Sequence, residues 1–296
     1  LKEDKIIIQK VISERNQTLD TRRDLYIALQ KFVKVPVISF FTSFKYPVSI
    51  EDNDADILQG VLQKLKLNEG FALFLSSPGG SALAAERIIN VCRAYSKTGE
   101  YQVIIPGKAK SAATMICLGA SKLIMSKTSE LGSIDPQVTI IEEGLKRRYS
   151  VYNLIKSYEN LFKRAVKEKG NLQPYLQQLS HYDERDIAEF ITEMKLSNDI
   201  VIKALRLGML SNLNEKDIIN KIKVFLTPEE VKVHGRPIYV QGAIDCNLNV
   251  EFIEPDSEFW LIVYELFIRL DNLVSNNNIA KCIESMDYSF VASLEG

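Results

Sequence analysis

Histidine is scarce in this 296-residue chain: there are two, His181 and His234, so any imidazole chemistry must use one of them. The four cysteines (Cys92, Cys117, Cys246, Cys282) lie far apart, with no CxxC and no Cys/His pairing. That spacing gives no support to a metal site or a disulfide framework. No apolar run reaches 18 residues and no signal-peptide pattern opens the chain. As given, the chain reads as soluble and cytoplasmic with no membrane span, and association through residues ahead of Leu1 stays open. Net charge is also lacking: 37 basic residues against 38 acidic ones leave −1. Nothing in that balance argues for a nucleic-acid partner. There is no internal repeat, no low-complexity tract and no basic motif for a CoA phosphate, and no cofactor is expected.

What is present is ordinary globular composition, 46% hydrophobic and 25% charged. Residues 1–34 read as a charged helical segment. VPVISFF (35–41) is β-branched and aromatic, the texture of a buried strand. From 71 to 126 strands and helices alternate with little slack. FALFL, YQVII and KLIMS read as strands, and 82–95 and 112–120 as helices. Such alternation predicts α/β layering on a largely parallel sheet. Residues 145–215 are rich in charge and helix formers and read as a helical excursion, after which KVFL (223–226) and PIYV (237–240) look strand-like. Residues 255–296 read as a C-terminal helical tail, whose helix 257–274 is apolar nearly all round. Such a helix needs a cover, from its own domain or from a second subunit.

Three stretches could carry chemistry. Ser111, in PGKAKSAATMICLGA (106–120), stands where a strand gives way to an apolar helix. That is the place of a plain N-cap, or of a nucleophile on a strand-to-helix turn. SSPGG (76–80) holds the same position one βα unit earlier. Gly79 and Gly80 allow close backbone approach there, and the N–H of Gly79 with that of Ala112 would form an oxyanion hole beside Ser111. SELGSIDPQ (129–137) follows the next strand and puts Asp135 before a proline, as an Asx turn or as a functional carboxylate.

The SPGG turn, the Ser-Ala-small-Thr helix start, SELGSIDPQ and HGRPIYVQGAIDCNLNV (234–250) together resemble the serine dehydrogenase proteinase family. That family lies within the Clp-protease/crotonase superfamily and is related to signal peptide peptidase. The resemblance covers roughly residues 35–252. It implies a repeated ββα spiral core over 35–254, a homo-oligomer and a polypeptide substrate. It further implies a serine peptidase with Ser111 as nucleophile and partners in the order Ser111, Asp135, His234, with His181 as fallback. In the Clp subunit, however, the histidine occupies the segment where Asp135 stands here. Signal peptide peptidase relatives use a lysine base instead, for which Lys156 and Lys163 are candidates ahead of Lys108 and Lys110. Ala113 stands where relatives carry glycine. A fold kept for assembly without a working base is the alternative to a peptidase.

Overall fold

The computed structural model describes residues 6–14, 16–142, 144–227, 235–276 and 278–294. Strands β1 (Val37–Thr42), β2 (Ala72–Ser76), β3 (Gln102–Ile104), β5 (Lys122–Met125) and β9 (Val250–Phe252) run parallel in that order across one sheet. Their side chains alternate between two cores, as the two-residue period of a strand requires. Val37, Phe41, Phe74, Ile104 and Ile124 face one side; Ile38, Phe40, Leu73, Val103 and Leu123 face the other. Both faces are buried along β1 and β2 and over most of β3 and β5, which is why those strands read as continuous apolar runs, whereas β9 at the edge is largely exposed.

A second, shorter layer of pairing follows the first. After β1, Ile50 bridges to Gly80 before α3 (Asp52–Leu62); after β2, Ser77 bridges to Ala109 before α4 (Ala82–Tyr95). After β3, β4 (Lys108–Ala109) precedes α5 (Ala112–Leu118), and β6 (Glu130–Leu131) follows β5 and pairs with β4. Strand, short strand, helix is thus the repeating unit, and the α/β ββα spiral expected from the sequence is the one observed.

Three expectations about the elements are corrected. The tail is not helical to its end. After α12 (Glu258–Asn276), β10 (Ile279–Glu284) and β11 (Ser289–Ser293) extend the sheet, β10 antiparallel to β1. KVFL forms a short helix, α10 (Lys223–Leu226), because a four-residue apolar run fits a buried helix as well as a strand. PIYV contributes only the bridge from Ile238 to Leu131 before α11 (Val240–Asp245).

The helical excursion opens with a hairpin, β7 (Gln137–Glu142) and β8 (Leu145–Ser150), turning at Gly144 with φ 79°. Helices α6 (Val151–Lys167), α7 (Gln173–Leu179), α8 (Glu184–Arg206) and α9 (Glu215–Lys221) follow. Residues ahead of β1 form α1 (Ile7–Ser13) and α2 (Asp20–Val33). The apolar helix α12 finds its cover within the chain: Val263, Leu266 and Leu270 pack with Tyr26 and Leu29 of α2 and with the sheet.

Candidate active site

Ser111 sits between β4 and α5 in a conformation that an L-residue adopts only under strain, φ 50° and ψ −119°. Such a backbone costs on the order of 1–3 kcal/mol and persists only where its surroundings enforce it. The side chain makes no capping hydrogen bond, although the residue occupies the N-cap position. The serine is thus strained and yet does not cap α5, so the plain N-cap does not describe it.

The SPGG turn is held against this one. Ser77 N–H donates to the Lys108 carbonyl and Lys110 N–H to the Ser77 carbonyl, both at 3.0 Å. Gly79, at φ 106°, packs so closely that a Cβ there would stand 2.6 Å from the Lys110 carbonyl oxygen and 2.7 Å from Ser111 Cβ. Thr114 secures the other side: its hydroxyl donates to the Ala109 carbonyl at 2.8 Å and accepts from Gly132 N–H at 3.0 Å. The two turns and the Gly132 segment are thereby one unit.

This unit alters the expected donors. Gly79 N–H donates to Ser77 Oγ at 3.1 Å, so it is engaged within its own loop. The N–H groups of Gly80 and Ala112 make no hydrogen bond with a described residue.

Ser111 opens on a cleft of about 670 Å³. Phe44, Tyr46, Leu83, Met115 and Ile134 contribute its apolar lining, and Gln137, Thr139, Arg148 and Glu193 its polar lining. Neither Arg148 nor Glu193 was singled out from the sequence. Thr139 and Arg148 face each other across the hairpin, and a glycine between two strand-length segments was the available signal.

The predicted acid–base residues fare unevenly. Asp135 lies between Ile134 and Pro136, which line the cleft, but is itself 1% exposed and not part of the lining. His181 is exposed and faces a separate cavity with Tyr149, Leu154 and Phe190. Lys156 stacks over the Tyr152 ring and Lys163 pairs with Glu159, so the fold brings neither to the cleft. Lys110 points to the Leu131 carbonyl and to Glu130, each at 3.0 Å, and Lys108 lines a different cavity. Among the described residues, no histidine or lysine lines the cleft. His234 lies outside the described residues, but both flanks of its segment do not: Ile134 N–H donates to the Phe225 carbonyl, and Leu131 and Ile238 exchange hydrogen bonds.

All four cysteines are free and buried, and burial pushes their thiols up from the ordinary value. Among the described residues there is no group of three His, Cys, Asp or Glu able to hold a metal ion. No helix there is long and apolar enough to cross a membrane.

Fold and site together define a ββα-spiral protein with a strained serine displayed beside a diglycine turn. The chain belongs to the ClpP-like SDH-type serine proteinases, the family that matches residues 4–160. Two uncharacterized proteins of Methanocaldococcus jannaschii are similar to it. One is 26% identical over 81% of this chain and 81% of its own; the other is 27% identical over 62% and 63%. Among solved structures, a ClpP1 mutant from Listeria monocytogenes is similar over 79% of this chain and 99% of its own, at 14% identity and TM-score 0.39. A mutant of the 1510-N membrane-bound stomatin-specific protease, in complex with a substrate peptide, is similar over 74% and 95%, at 15% identity and TM-score 0.30.

Proposed function

We propose that this chain hydrolyses peptide bonds through an acyl-enzyme on Ser111. The Ser111 oxygen attacks the scissile carbonyl carbon, and the N–H groups of Gly80 and Ala112 receive the oxyanion. The serine proton passes to a base and from there to the leaving amine, and water then releases the acyl group by the reverse path. The observation that carries the reading is the strained, non-capping Ser111 beside two uncommitted N–H donors.

For the base we propose His234, with Asp135 as its carboxylate. What supports it is the anchoring of both flanks of its segment on Leu131 and on Ile134, a cleft residue next to Asp135. His234 lies four residues before Ile238 in the chain, a span of at most about 13 Å. The polypeptide substrate and a homo-oligomer belong to the same proposal. Exposed Phe162, Val166 and Leu176 on α6 and α7 support self-association, and a monomer in light scattering would remove it.

A fluorophosphonate probe should label the protein, lose labelling in Ser111→Ala and label His234→Ala at least about a hundredfold more slowly. Full-rate labelling of His234→Ala would move the base elsewhere. The absence of histidine and lysine from the described cleft lining favours a second reading, an assembly module without a base. No labelling of the folded wild-type protein would select it.

A further inference from the structure

A second cavity, of about 490 Å³, opens between α12 and the ends of β2, β3 and β5. It shares only Phe44 with the Ser111 cleft. Trp260, Tyr264 and Phe267 of α12 supply its aromatic surface, and Phe267 lies against Gly107, where a Cβ would approach its ring to 3.0 Å. Two charged side chains stand at this apolar wall, half-buried Asp271 and, at the rim, exposed Lys108. They do not pair with each other, and neither makes a hydrogen bond or ion pair with any described residue. Asp271 is half-buried; burial raises its carboxyl above the ordinary value, and the nearby Lys108 ammonium offsets this in part. A carboxylate whose charge is disfavoured by an apolar cavity gains from a positive group placed against it, and this cavity has room for one from outside.

We propose that this cavity binds a small zwitterion with an apolar body, an α-amino acid or dipeptide with a large apolar side chain. Its ammonium meets Asp271, its carboxylate meets Lys108, and its side chain lies among Trp260, Tyr264 and Phe267. A single-charge ligand forgoes one of the two charge contacts, which is the basis of the selectivity. The cavity volume exceeds that of any one amino acid, so both sizes of zwitterion are to be compared.

Trp260 is the only tryptophan in the chain, so its fluorescence reports on this cavity alone. The full chain would be titrated with L-phenylalanine, the dipeptide Leu-Phe, L-phenylalaninamide (ammonium only) and N-acetyl-L-phenylalanine (carboxylate only). Calorimetry would detect a ligand that leaves the indole emission unchanged. Expected are saturable binding of at least one zwitterion and binding about tenfold weaker for both single-charge analogues, the loss of one charge-assisted hydrogen bond. The stronger of the two zwitterions identifies the source. Asp271→Asn should abolish the preference for the zwitterion over N-acetyl-L-phenylalanine, and Lys108→Gln its preference over the amide. Equal binding of all four compounds, or no heat and no fluorescence change with any, would overturn the proposal. Carried out on Ser111→Ala, in which neither the dipeptide nor the amide is turned over, and with the Asp271 and Lys108 substitutions assigning the heat to this cavity, the titration stands or falls apart from peptidase activity.

Discussion

At the scale of single residues, Ser111 and Asp271 both hold unfavourable states that their surroundings enforce. Glycine tolerates φ 50° with ψ −119° where alanine does not. Ser111→Gly is therefore expected to be about 1 kcal/mol more stable than Ser111→Ala in chemical denaturation. Asp271 behaves in the opposite sense to a salt-bridged carboxylate. Its folded-state value is raised, so its contribution to stability is fully present below the unfolded value and lost as pH rises through the folded one. Asp271→Asn should accordingly raise the melting temperature at neutral pH, with the gain disappearing in acid below the ordinary carboxylate range. A gain that is the same at every pH would show that ionisation is not its source. Ser111 was legible in the sequence as a position, because strand-to-helix turns follow from the alternation of 101–120. Its strain was not legible, since backbone angles leave no mark on a residue that also caps helices well.

At the scale of elements, the site is made of turns and not of the helices and strands that meet there. Thr114 is the pin: one hydroxyl joins β4 to the Gly132 segment from inside α5. Thr114→Val keeps the shape and leaves a buried carbonyl and N–H without their partner. It should cost about 2 kcal/mol and slow probe labelling of Ser111, whereas a loss of stability with full labelling would separate the pin from the site. Sequence periodicity found β1, β2, β3, β5, α4 and α5, whose apolar runs are long or regular. It missed the β7–β8 hairpin because its second strand, LKRRYS, is charged and half of a two-stranded sheet. Its first four residues are exposed on both faces, so little apolar alternation is required of it. Arg148 went unseen for that reason, and Glu193 because an exposed acid on α8 looks like any solvated helix face.

Across the whole molecule, elements far apart in the chain are fastened together. Arg22 on α2 donates to both carboxylate oxygens of Glu284 on β10, at 2.7 and 2.6 Å, with side chains 2% and 0% exposed. Glu284→Gln should cost about 3 kcal/mol, because it strands a buried guanidinium. The double substitution Arg22→Met with Glu284→Leu should cost much less in the same urea titration, and equal losses would mean that the charge was not what mattered. Sequence patterning conveys nothing of this pair, since its partners are 262 residues apart. That separation bears on how the chain is made. As it leaves the ribosome, β1 has its neighbour β2 almost at once, while its other edge and Arg22 wait for β10, about 240 residues later. The serine turn and the diglycine turn are synthesised and can dock long before that closure. An emerging chain therefore displays Ser111 on a sheet with one side still unzipped, and maturation to full stability is a late event tied to the arrival of Glu284.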